Sequence, residues 1–212
     1  MRCARRAVLA ALLAAAAAPG LAGCVSRRPT PAVTYYTLAV PGRPPAAPPA
    51  PVRVGAFSAD APYATSRLAY RSSPFRLEYY AFHRWADSAP SAVATAARDY
   101  LAQATATQDG APLVLEGHLR RLEALADPVG WRGVVVLDLT VRRSGQVWLE
   151  HSYEESEPAA ADTAEAVVAA LSRALGRVLD RLLDDLGAAG EHGGHAAQCR
   201  RWRSGCQGGL AS

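Results

Sequence analysis

The groups in this 212-residue chain that could do chemistry are four cysteines, five histidines and a scatter of serines and carboxylates. The most pointed arrangement is Leu21-Ala22-Gly23-Cys24, one thiol preceded by small residues. A thiolate is a strong nucleophile, and small neighbours leave the backbone before it open to a peptidase. That combination points to modification of Cys24 rather than catalysis by it. His192, His195, Cys199 and Cys206 are metal-ligand types, but their spacing fits no established finger or ribbon. A Cys199–Cys206 disulfide is the reading adopted, with a bound metal and free thiols as the alternatives. Ser58 and Asp60 read as a short polar turn, His83, His118 and His151 stand apart, and Glu154, Glu155 and Glu157 read as a solvated strand end. There is no G-x-S-x-G elbow and no P-loop, so no catalytic residue, metal site or cofactor is assigned.

The segment before Cys24 gives that thiol its context. Arg2, Arg5 and Arg6 form a positive start, Ala7 to Ala18 an apolar run, and Pro19-Gly20 a break. Residues 1–23 therefore read as a secretory signal peptide. The run is too short to span a hydrocarbon core of ~30 Å. Leu21 to Cys24 resembles the bacterial lipobox, whose cysteine is lipidated and becomes the mature N-terminus. Each buried CH₂ of an acyl chain contributes ~0.8 kcal/mol, and one chain alone holds a protein only marginally. The three chains expected of such a lipoprotein make attachment effectively permanent. Val25 and Ser26 come next, with no Asp after the cysteine. The outer membrane, periplasmic face, is therefore expected over the inner one.

Charge excludes one class of partner. The whole chain carries +4, but the basic excess belongs to its ends, and residues 24–187 carry −1. A nucleic-acid binder needs a concentrated basic face, so no nucleic acid is expected.

The elements beyond the anchor can be read in order. Residues 24–32 form a polar tether, its Val25 to Ala32 part reaching at most about 25–30 Å. "VTYYTLAV" reads as a strand, and Pro41 to Pro51 as a semi-rigid polyproline connector. "VRVGAF" is a second strand, and "RLAYRSS" with "FRLEYYAF" forms a hairpin turning at Ser73-Pro74. From Pro90 a helix carries Val93, Ala97, Tyr100, Leu101 and Ala104 on one stripe. Three strands then form a meander: the first slips in its alternation after Arg121, which predicts a bulge, and the last two meet at Ser144-Gly145. Pro158 suits the first turn of a long helix whose seam is Val168, Leu171, Leu175, Val178, Leu182 and Leu186, with Gly187 ending it. Residues 33–187 then make one α+β domain, a two-layer sandwich of a mostly antiparallel sheet with two helices on one face. Residues 188–212 read as a disordered tail. Of the aromatics, Trp85 reads first as packing at a strand–helix junction and second as a partner contact. Trp131, in "DPVGWRG", reads as folding back on the meander or as an exposed rim group for a partner or membrane.

"YYTL" after the lipobox, "VRV", "APYATSRLAYR", "LEYYAFHRWADSAP" and the closing "AVVAALSRALGRVLDRLLDDL" resemble the ABC-type transport auxiliary lipoprotein family, which includes the lipoprotein of the paraquat-inducible system. Arg84-Trp85-Ala86-Asp87, preceded by Tyr79 and Tyr80, is the most specific stretch. The resemblance implies a non-catalytic accessory of a transporter for lipids or other hydrophobic molecules, partnered by an MCE-domain protein. Tyr79, Tyr80, Trp85 and Trp131 are its candidate partner contacts, and homo-oligomerisation is left open. A generic envelope-assembly adaptor and a lipid-carrying domain are the rival readings.

Overall fold

The computed structural model describes residues 31–104 and 110–205, the last fifteen by backbone alone. The chain divides at Ala32/Val33 into two units, and the second carries the sheet and its helices. Among the described residues the strands are β1 (Thr34–Tyr36), β2 (Val52–Ala59), β3 (Arg67–Ser73), β4 (Arg76–Trp85), β5 (Leu113–Asp127), β6 (Gly130–Arg143) and β7 (Gln146–Pro158). Two helices join them, α1 (Ala89–Leu101) and α2 (Ala164–Gly205). The strands form one open sheet in the order β1-β4-β3-β5-β6-β7, with β2 also pairing β5. The long ladders β5–β6 and β6–β7 are antiparallel, while β1–β4, β2–β5 and β3–β5 are parallel. This is the expected α+β architecture.

Strand β5 organises the rest because its 15 residues are more than about twice the usual strand length. Its first half takes β2 and its second half β3, along the same edge. Leu113, Leu115 and Leu119 alternate onto the helix-covered face and are fully buried. The register then shifts between Leu119 and Arg121, so Arg120 is an extra residue. That bulge lets Leu122 and Ala124 return to the same face as Leu119, three positions earlier. The slip legible in the sequence is thus real.

Helix α1 starts at Ser88, whose hydroxyl accepts from the Ser91 N–H, with a proline in its first turn. Helix α2 does not begin at Pro158, which lies at the end of β7. It begins after Thr163, whose Oγ1 accepts from the Ala166 N–H at 3.2 Å. All six seam residues named from periodicity are buried. The helix comes so close to the sheet at Gly133 that a Cβ there would lie 2.6 Å from the Leu171 nitrogen. Only glycine admits that approach.

Gly187 does not end α2, which continues to Gly205. The glycines of its middle serve packing instead. The segment after β1 runs along the helix as a strap, with the Ala39 N–H donating to Ser172 Oγ at 3.2 Å. Further along, Val40 faces Gly176 and Pro49 faces Gly190, while Ala50 is fully buried. The proline-rich stretch, expected as a semi-rigid connector, is seated against the protein at its second half, where Pro48 and Ala50 are buried, while Pro41 to Arg43 are exposed. Gly187 meets nothing within 4 Å and has no positive φ. Gly187→Ala should accordingly raise stability by roughly 0.5–1 kcal/mol, read as a higher urea midpoint. A loss of stability would contradict a continuous helix at that position.

Candidate functional site

Parallel pairing of β3 with β5 sets Tyr70 opposite Ala124, and β6 brings Trp131 opposite Ala126. These positions share the helix-covered side of the sheet, at the end where α2 begins. The Tyr70 and Trp131 rings lie 5.9 Å apart, edge to face, and Tyr70 lies 4.9 Å from Tyr80. Tyr80 meets His83 at 5.6 Å, and the Tyr36 hydroxyl stands 3.1 Å from His83 Nδ1. The outcome is an aromatic row, Trp131-Tyr70-Tyr80-His83-Tyr36, drawn from four strands, each member half-buried. Burial, and then the nearby Asp162 carboxylate, push the Tyr80 phenol up, so it stays a neutral donor. Such rings present an apolar body with a polar tip, the chemistry of interfaces.

Of the candidate contacts, Tyr80 and Trp131 fall in this row. Tyr79 does not: it points to the opposite face, donates to the Pro62 carbonyl at 2.9 Å and lies under the Arg67 guanidinium at 4.1 Å. Trp85 is 1% exposed, so it is a core group and offers no partner surface. Its indole sits where β4 passes into α1, and the adjacent backbone explains the burial: the Trp85 N–H donates to Ser66 and the Ala86 N–H to Tyr36. Cys24 and Cys206 lie outside the described residues, and Cys199 is described by backbone alone. Tyr70, His83 and Tyr36 were missed by sequence reading. Their only signal was an excess of aromatics in three short strands whose mutual register lies far apart in the chain.

His118 is not isolated either. Its Nδ1 lies 2.8 Å from Ser58 Oγ, and its Nε2 lies 2.9 Å from Asp60 Oδ1. The contacts have the order of a hydrolytic triad, so the surroundings decide the reading. Ser58 and His118 are cross-strand partners in the parallel β2–β5 ladder, which is in register from Phe57 to Ala59 after a shift between Val54 and Phe57. A strand turns successive N–H groups to opposite edges, so the β2 backbone does not itself offer Ser58 the paired donors of an oxyanion hole. Asp60 is also held by Arg120 Nε at 3.3 Å, and Arg120 reaches Asp138 at 3.2 Å. The His118 hydrogen bond and the Arg120 charge together keep the Asp60 carboxyl below its usual range. The cluster is a surface hydrogen-bond chain fastening β2 to β5.

A second polar cluster is buried. Glu123, fully buried on the open face of β5, accepts from Arg71 Nε at 2.9 Å, Arg121 Nη2 at 2.6 Å and the Tyr63 hydroxyl at 2.5 Å. Burial, and then the hydrogen bond to the carboxylate, push the Tyr63 phenol up to about 12. Arg71 extends the cluster by donating to the Pro74 carbonyl at 3.3 Å. The cluster therefore ties the turn between β3 and β4 to the middle of the sheet. Among the described residues no helix is long and apolar enough to cross a membrane.

Known proteins resemble this chain in sequence pattern and fold. The family model described as the ABC-type transport auxiliary lipoprotein component matches residues 36–182. Among solved structures, a Xanthomonas campestris protein of the DUF330 family is 22% identical with a TM-score of 0.62, covering 76% of this chain and 99% of its own. An uncharacterised protein of 12% identity matches with a TM-score of 0.59, covering 74% of this chain and 99% of its own. No curated protein matches. The two structures share the fold, and the family match runs from the last residue of β1 to Leu182 in α2.

Proposed function

The chain belongs to the family of ABC-type transport auxiliary lipoprotein components, and from that premise we propose that it is an outer-membrane-anchored accessory of a transporter for lipids or other hydrophobic molecules. Membership makes it an accessory lipoprotein of transport. The anchor site, the membrane, the cargo and the partner are the proposal. Lipid on Cys24 fixes one end, and the body from Val33 docks a periplasm-spanning MCE-domain protein. The contribution is positional: tethering turns docking into a high effective-concentration event. Eight residues separate Cys24 from Val33, at most about 30 Å of chain, so the body works close to its bilayer. Residues 33–187 are proposed as the working domain and Cys199–Cys206 as a disulfide in an oxidising compartment.

The observation that carries this reading is the family match across almost the whole sheet together with Leu21-Ala22-Gly23-Cys24. The filled interior supports docking over cargo carriage. Leu115, Leu119, Leu137, Leu171, Leu175 and Val178 occupy the space between sheet and helices at no more than 1% exposure. A lipid chain would have to displace them. Epistasis tests the proposal: cells lacking this chain should admit hydrophobic compounds as readily as cells lacking the transporter's ATPase, and the double loss should add nothing. Additive defects would contradict it.

A further inference from the structure

Two turns break the usual chemistry of turns in the same way. Ser73-Pro74-Phe75-Arg76 joins β3 to β4, and Asp127-Pro128-Val129-Gly130 joins β5 to β6. Each places proline first and a large apolar residue second in a two-residue tip, where Gly, Asn or Asp is the usual choice. The third hairpin shows the ordinary solution, Ser144-Gly145 with φ of 51° and 81°. Phe75 is 98% exposed and Val129 91%. Rules broken locally without gain to the fold mark functional positions.

The topology puts these two tips side by side. Arg71 of β3 is paired in parallel with Leu125 of β5, so both strands reach their turns at one end of the sheet and at one level. The Ser144-Gly145 turn lies at the other end. Neither tip is left loose. Arg71 Nη1 donates to the Pro74 carbonyl, and Asp127 Oδ1 accepts the Val129 N–H at 2.8 Å. Phe75 and Val129 are thus held out into water by the protein's own hydrogen bonds.

The surroundings of the tips identify the occupant. Trp131 lies two residues beyond Val129 and begins the aromatic row through Tyr70 and Tyr80. Apolar points backed by a band of Trp and Tyr have the profile of a surface that enters the headgroup level of a bilayer. Arg76, beside Phe75, is exposed and pairs with no carboxylate among the described residues, which suits lipid phosphate. The direction of β1 points the same way. β1 runs parallel to β4, with Thr34 level with His83, so the chain enters β1 travelling away from the tips. From the level of His83 to that of Arg76 is roughly 23 Å of strand, less than the ~30 Å that the chain between Cys24 and Val33 can span when extended.

We propose that Phe75 and Val129 form a two-pronged contact that dips into the interfacial layer of a phospholipid bilayer and sets the orientation of the body on the membrane. This goes beyond the anchoring role of Cys24 and is tested apart from it. In the mature acylated protein on phosphatidylethanolamine–phosphatidylglycerol vesicles, a Phe75→Trp probe should be quenched several-fold more by acyl-brominated lipid than a Gln146→Trp probe at the opposite end. Equal quenching would overturn the proposal. Separately, the mature chain with Cys24→Ser should partition onto the same vesicles, and Phe75→Ser with Val129→Ser should weaken that partition by at least about tenfold. Its melting temperature should not change, because both side chains already stand in water. No partition, an unaltered partition, or tips whose loss abolishes self-association or capture of a protein instead would each overturn it. Failure of acylation at Cys24 leaves the second measurement standing.

Discussion

Glu123→Ala should destabilise the domain by about 3 kcal/mol, a fall in melting temperature of roughly 6–12 °C. The carboxylate is fully buried and is the shared acceptor of Arg71, Arg121 and Tyr63. Removing one partner of a buried pair costs about 3–5 kcal/mol when the other charge is stranded. The lower end applies because the Arg71 and Arg121 side chains keep 23% and 32% exposure and can turn to water. The Tyr63 hydroxyl has less choice. It sits in a 3-10 turn, Ala61–Tyr63, and the ring is buried.

The same residue sets a pH dependence. Burial alone would raise the Glu123 carboxyl, but hydrogen bonds from Arg71, Tyr63 and Arg121 outweigh it and leave it below its ordinary 4.5. A carboxyl with a lower pKa folded than unfolded stabilises the fold above the unfolded value and loses that contribution as pH falls through the folded one. Urea midpoints should therefore drop below about pH 4.5 more steeply in the native chain than in Glu123→Gln. Parallel slopes would mean that Glu123 is not ionised in the folded domain. Because Arg71 also holds Pro74, either variant should loosen the Phe75 turn.

Cys24→Ser has the largest expected effect on location. The acyl chains expected on Cys24 contribute ~0.8 kcal/mol per buried CH₂, far more than any exposed patch of this domain can supply. In cells fed radiolabelled palmitate, the native chain should carry label and pellet with outer membranes. Cys24→Ser should carry none and move to the soluble periplasmic fraction, apart from a small remainder held by Phe75 and Val129. Label persisting in the variant would place the acyl group elsewhere, and a variant that pellets in full would remove the anchor from the proposal.

Much of this architecture could be read from single residues because its signals are local. The 3.6-residue seam from Val168 to Leu186 and the slip near Arg121 need no knowledge of distant chain. Gly187 misled because glycine commonly marks a helix end, yet here it lies inside α2 with no positive φ and nothing within 4 Å of it. At Gly176 and Gly190 the strap decides for packing, and that strap lies more than a hundred residues upstream. The aromatic row could not be assembled from spacing. Tyr70 and Trp131 meet only through the parallel β3–β5 register. His118 likewise finds Ser58 and Asp60 across sixty and fifty-eight residues. Adjacent Tyr79 and Tyr80 looked like one patch, but neighbours on a strand face opposite sides, and only Tyr80 joins the row.

The central claim is that the body serves a transport system by docking to it. Its most direct measurement is isolation of the tagged, acylated chain from solubilised envelopes, with identification of the proteins that accompany it. An MCE-domain protein, together with the permease and ATPase of its transporter, is the predicted yield, and it should fall with Cys24→Ser as tethering is lost. Consistent recovery of a different envelope-assembly machine, with no transporter subunit among the proteins retained, would contradict the account.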